Sequence, residues 1–152
     1  MSDLQAGRQH LADFKGLVAC GGFSYGDYVR AGAIAQFSPV MRAVKAFAGA
    51  GGYVFGVCNG FQILCESHLL PGVLLRNANL QFICKNVWLR PATNHSPLTA
   101  DLNLKQALKI PIAHAEGRYF ADEKTLDALE RNDQVLFRYC TPDGKITAAA
   151  NP

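Results

Sequence analysis

Tyr53-Val54-Phe55-Gly56-Val57-Cys58-Asn59-Gly60-Phe61-Gln62-Ile63-Leu64 is the stretch on which the fold turns. Tyr53 to Val57 is an apolar, strand-forming run, and Asn59 opens a helical pattern with Phe61, Leu64, Cys65 and His68 on one side. Cys58 stands at the corner between them, a sharp strand-to-helix turn that holds a side chain up from the end of a sheet. Gly56 and Gly60 flank it, and glycine lets neighbouring backbone pack where a Cβ would collide. The helix start presents open N–H groups and its positive dipole end to the sulfur, an arrangement that favours thiolate over thiol. Two readings of Cys58 stand at this point: a nucleophile on an elbow, or a small buried core residue.

Working outward, the pattern alternates strand and helix. Phe14 to Cys20 reads as a buried strand ending in Gly21-Gly22. Ser38 can cap a helix with Pro39 in its first turn and Val40, Met41, Val44, Phe47 and Ala48 along one face. Pro71-Gly72 breaks the helix that follows Cys58. Leu80 to Leu89 is strand-like, Lys109 to His114 a short strand entering a loop, and Gln134 to Cys140 a further strand. Asp122 can cap a helix running through Arg131 with Leu126 and Leu129 inward, and Thr141-Pro142-Asp143-Gly144 is a turn. This alternation predicts an α/β, flavodoxin-like fold, a largely parallel sheet with helices on both faces and ligands at the carboxyl ends of the strands. At 152 residues the chain is expected to form a single domain over 1–152.

Composition excludes several classes. Hydrophobic residues make up 49% of the chain, which is globular and not disordered. A net charge of +3 without a Lys/Arg block argues against a nucleic-acid partner. No apolar run approaches the roughly 20 residues of a membrane span, and the charged N-terminal stretch is not a signal peptide. Five scattered cysteines (Cys20, Cys58, Cys65, Cys84, Cys140), none in a Cys-x-x-Cys pair, speak against a disulfide framework or a metal site. They fit a reducing, cytoplasmic setting.

If the strands before Gly21-Gly22 and Cys58 are neighbours, the backbone N–H groups of Gly22 and Asn59 converge beside the sulfur. Two such donors would make an oxyanion hole, although a glycine pair is also simply a tight turn. A dinucleotide-binding reading fails, because Gly49-Ala50-Gly51 precedes a strand instead of following one.

Gly21-Gly22-Phe23-Ser24-Tyr25-Gly26-Asp27, Arg30-Ala31-Gly32-Ala33-Ile34-Ala35 and Gly56-Val57-Cys58-Asn59-Gly60-Phe61-Gln62-Ile63-Leu64 closely resemble the glutaminase of phosphoribosylformylglycinamidine synthase. That family is a class I (triad-type) glutamine amidotransferase of purine biosynthesis. Arg76-Asn77, Phe82-Ile83-Cys84 and His114-Ala115-Glu116-Gly117-Arg118 fit it in the same order, so the resemblance covers nearly the whole chain.

The resemblance implies that Cys58 attacks the side-chain amide of L-glutamine, releasing ammonia and leaving a thioester that water hydrolyses. It implies Gly22 and Asn59 as oxyanion donors, Gln62 as a glutamine-binding residue one helical turn beyond Cys58, and the backbone of Ala113, His114 and Ala115 as pocket lining. It also implies ammonia transfer to a synthase large subunit or domain, which would hold the ATP and Mg, with no cofactor in this domain.

The chain also departs from the family. Cys20 stands where the separate-subunit form usually has Pro, and Ala115 where Gly is usual, which would tighten the loop after His114. The family begins with another strand and helix before the position of Met1. It ends with a His-Pro-Glu segment that supplies the base and the acid orienting it, and 1–152 contains no such tripeptide. The expectation is a domain incomplete at both ends, whose exposed sheet edge makes the isolated chain self-associate or need a partner. His68 lies about 15 Å along the helix from Cys58, too far for direct proton transfer. His10 and His95 fall in polar or turn segments, leaving His114 as the one candidate base, with a pocket-lining role as its alternative. A catalytically impaired module that binds glutamine or the synthase, and a different thiol hydrolase on the same elbow, are the competing functions.

Overall fold

The structure is a computed structural model and describes residues 16–19 and 32–152. It has two compact units, one up to Leu74 and one from Leu75 onward.

In the first unit, β1 (Gly16–Ala19) and β2 (Tyr53–Gly56) pair in parallel, with Gly16 opposite Tyr53 and Ala19 opposite Gly56. The two strands are therefore neighbours, as the sequence reading required, while the Gly21-Gly22 turn lies outside the described residues. A parallel pair needs a crossover, and α1 (Pro39–Gly49) supplies its helix. Pro39 takes the first helical position as expected. Ser38 occupies the N-cap, but its side chain makes no capping bond. Of the apolar stripe on α1, Met41 is buried and Val40 exposed.

The second helix, α2 (Asn59–Glu66), starts at Cys58 and lies on β1 and β2 by way of two glycines. A Cβ on Gly60 would overlap the Ala19 carbonyl, and one on Gly56 would crowd Leu64. Leu64 and Cys65 are almost wholly buried here. On the opposite side of the strand pair Val18, Tyr53 and Phe55 remain exposed. They alternate with the half-buried Leu17 and Val54, as the pleat of a strand dictates. A short strand, β3 (Val73–Leu75), spans the sequence boundary between the units.

The second unit is built on an antiparallel sheet in the order β5-β4-β7. Its members are β4 (Ile83–Pro91), β5 (Leu108–His114) and β7 (Phe137–Cys140). Ile83 faces His114 and Leu89 faces Leu108; Trp88 faces Cys140 on the other flank. The α/β architecture thus joins a parallel pair to an antiparallel sheet. The reason is local: the segment between β4 and β5 contains no helix to carry a parallel crossover. Between β5 and β7 lie β6 (Arg118–Phe120) and α3 (Glu123–Arg131).

Asp122 caps α3 as expected, accepting the Thr125 N–H at 2.7 Å. That bond holds its carboxyl below the ordinary carboxylate range. Leu126 is a correction: it is 43% exposed and does not point inward. The 141–144 turn is present, with the Gly144 N–H donating to the Thr141 carbonyl at 2.8 Å.

Candidate active site

Cys58 sits at the N-cap of α2 with φ 55° and ψ −122°, a conformation that L-residues avoid. Such strain costs on the order of 1–3 kcal/mol and persists only where the surroundings impose it. Here β1 imposes it, because the Val57 N–H donates to the Ala19 carbonyl at 3.0 Å and pins the corner. The thiol is exposed, so the elbow holds the sulfur up and out of the core.

The helix start determines which backbone donors remain open. Gly60 N–H bonds the Val57 carbonyl at 2.9 Å, and Phe61 and Gln62 both donate to the Cys58 carbonyl at 3.0 and 3.3 Å. Among the described residues, the Asn59 N–H has no acceptor. It is the amide next to the sulfur, one of the two donors expected from sequence. The other, Gly22, lies outside the described residues.

Gln62 stands one turn along α2, and its side-chain oxygen accepts the Asn59 Nδ2–H at 3.1 Å. This bond was not anticipated, although Asn-x-x-Gln spacing on a helix is its signal. Among the described residues the buried Asn59 Oδ1 has no partner.

Ala113, His114 and Ala115 belong to the second unit. The half-buried His114 lines a cavity of about 270 Å³ with Asn77, Arg118, Tyr119 and Tyr139. Its Nδ1 meets the Asn77 Oδ1 at 2.9 Å. Ala113 lies on β5 opposite Cys84, and the Ala115 carbonyl accepts the Asn77 N–H at 2.8 Å. Ala115 has no positive φ, so alanine is accommodated where glycine is usual. A Cβ on Gly117, by contrast, would run into the His114 imidazole. Sequence reasoning passed over Asn77 as a structural centre, because its partners lie up to 40 positions away.

The other chemistry-bearing groups are placed as follows. Cys65 is buried, and burial, followed by the Glu66 carboxylate, pushes its thiol up to about 11. His68 lies exposed beyond α2, and the His95 Nδ1 meets an Asp133 oxygen at 2.6 Å. His10 lies outside the described residues. Among the described residues no group of His, Cys, Asp and Glu could hold a metal, and no helix is long and apolar enough to cross a membrane.

Comparison with known proteins sharpens this geometry. The family described as CobB/CobQ-like glutamine amidotransferase domain matches residues 1–152. The chain is 54% identical over 142 residues to phosphoribosylformylglycinamidine synthase subunit PurQ of Salinibacter ruber, covering 93% of this chain and 60% of that relative. It is 54% identical over 146 residues to the same subunit of Moorella thermoacetica, covering 96% and 62%. The chain therefore spans about three-fifths of the length of these curated relatives. The solved structure of PurLQS from Thermotoga maritima is similar at a TM-score of 0.73 and 35% identity, over 91% of this chain and 66% of that one.

Proposed function

Because this chain belongs to the CobB/CobQ-like glutamine amidotransferase family, we propose that it carries the glutaminase chemistry of phosphoribosylformylglycinamidine synthase in purine biosynthesis. The observation that carries this reading is Cys58, an exposed thiol held in strained backbone beside the Asn59 N–H, which has no acceptor among the described residues.

The Cys58 thiolate attacks the side-chain carboxamide carbon of L-glutamine. The carbonyl oxygen takes up the electron pair and lies against the N–H groups of Asn59 and Gly22. One such donor typically lowers the barrier by about 2.7–4 kcal/mol. Collapse expels the amide nitrogen, which leaves protonated as ammonia, and a γ-glutamyl thioester remains. Water then adds to the thioester, giving glutamate and returning the sulfur. Gln62 and the backbone of Ala113, His114 and Ala115 bind the substrate.

His68 is set aside as the base, since it stands beyond the far end of α2 from Cys58. His114, whose Nδ1 is bonded to Asn77, keeps Nε2 as the nitrogen that can take a proton and remains the candidate, with pocket lining as its alternative role. The family match across 1–152 supports one glutamine amidotransferase domain that includes both units. Ammonia passes to the synthase large subunit or domain, which holds ATP and Mg; this domain needs no cofactor. Four free cysteines among the described residues fit a cytoplasmic enzyme.

The test is ammonia release from glutamine by the full-length protein, with and without its synthase partner, against Cys58→Ala. Labelling of Cys58 by diazo-oxo-norleucine should run in parallel. The absence of Cys58-dependent ammonia under both conditions would leave only a binding module.

A further inference from the structure

Asn77 is 4% exposed, and both ends of its amide are fully engaged. Its Nδ2 donates to the Gln81 and His114 carbonyls, while its Oδ1 receives the Gly117 N–H and meets the His114 Nδ1. Three of these four partners are backbone groups, which any residue at 114 would leave in place. The loop is thus closed without the imidazole. The ring adds one bond and brings a second nitrogen that the fold does not satisfy: among the described residues Nε2 has no partner. A half-buried histidine serving structure alone is expected to bond at both nitrogens or to give way to an apolar side chain. His114 instead lines the cavity, its Nδ1 held by Asn77 and room for the ring left by Gly117, where a Cβ would strike it. An amide oxygen can only accept, so in the neutral ring Nδ1 keeps the proton and Nε2 the lone pair.

We infer that Asn77 is a positioning residue for the proposed reaction, holding His114 as an acceptor at Nε2, where the lone pair meets an N–H of glutamine. This rests on the glutaminase reading of Cys58. A ring turned over, or protonated at Nε2 instead, would set a donor against the substrate's own donor.

The experiment uses the full-length protein. Its Cys58→Ala form, which cannot consume glutamine, carries 15N in the histidines. Free, the His114 ring is expected as the Nδ1–H tautomer, and Asn77→Ala should mix in the other form. Glutamine at saturation, checked by calorimetry, should shift the Nε2 resonance. Kinetics follow with Cys58 restored and the synthase partner present. His114→Asn keeps an amide where Nδ1 stood and removes Nε2. It should lower kcat/KM for glutamine about tenfold, the scale of one good hydrogen bond, at an unchanged melting temperature. Asn77→Ala should add little further loss on top of His114→Asn, because it acts through the ring. Where either variant melts early, the resonances of the Cys58→Ala protein decide.

An Nε2–H ring in the free protein, an Nε2 resonance unmoved by saturating glutamine, or an unchanged kcat/KM in His114→Asn would overturn the inference. Failure of the parent protein to release ammonia or to be labelled by diazo-oxo-norleucine would instead remove the glutaminase reading on which it stands.

Discussion

The Asn77 side chain holds His114 at two points: its Oδ1 meets the imidazole Nδ1 at 2.9 Å, and its Nδ2 donates to the His114 carbonyl at 2.9 Å. Neither end of the amide can be reversed, since Oδ1 also receives the Gly117 N–H at 3.1 Å and Nδ2 also donates to the Gln81 carbonyl at 2.7 Å. An amide oxygen only accepts, so Nδ1 of His114 carries the proton. The imidazole is thereby fixed in tautomer and tilt by a residue 37 positions away.

Replacing Asn77 with Asp would set an oxygen against two carbonyls. Asn77→Asp should lower stability by about 3 kcal/mol, the sum of two lost bonds and two stranded acceptors. Urea unfolding measures it, and a change under about 1 kcal/mol would contradict the four-bond clamp.

Gly60→Ala should be as damaging by a different route. The added methyl would overlap the Ala19 carbonyl, which already receives the Val57 N–H, so α2 must lift from β1. Overpacking of this kind costs about 1–3 kcal/mol. Because the shift displaces the corner, iodoacetamide reactivity at Cys58 should change together with the melting temperature.

At position 58 stability and reactivity are set against each other. Cys58→Gly should be more stable than Cys58→Ala by about 1 kcal/mol, since glycine accepts φ 55° and alanine does not. Paired urea titrations give the difference, and equal midpoints would mean that the corner relaxes in solution.

Alkaline pH should destabilise the fold through Cys65. Its folded thiol is pushed up to about 11 from an ordinary 9.0 by burial and then by Glu66. Between these values the unfolded chain has lost the proton and the folded chain keeps it, so stability falls as pH rises from 9 towards 11. Burial raises Tyr139 too, adding a loss of the same sign above its ordinary 10.0. Cys65→Ser should flatten the lower part of this slope, seen as melting temperature against pH.

The exposed Val18, Tyr53 and Phe55 on one side of the parallel pair should make the 152-residue chain self-associate. Sedimentation velocity should show concentration-dependent species, reduced by Phe55→Lys. A monodisperse parent would contradict this.

Legibility followed the range of the interactions. The corner at Cys58, the Asp122 cap and the 141–144 turn depend on residues within a few positions of one another, and composition there marks them. Which residue bears the left-handed strain did not show, because the flanking glycines advertise a turn without saying that the cysteine adopts it. The antiparallel pairing of β4 with β5 and β7 was equally hidden. Strand pattern carries no direction, and β3 and β6, three residues each, are too short for any period. Leu126 shows the opposite failure, a helical apolar position that stays in solvent. In the candidate site, Cys58, Asn59 and Gln62 were visible as a motif, whereas Asn77 was matched only as part of Arg76-Asn77, and its hold on His114, 37 positions away, had no local signal.

A cysteine codon becomes a glycine codon by one base change, and the backbone at 58 would welcome the exchange. Selection for folding alone would thus drift towards a calmer protein with no sulfur at the corner. A descendant freed from its chemistry should lose this side chain early while its scaffold endures, and a glycine there would be the mark of that retirement.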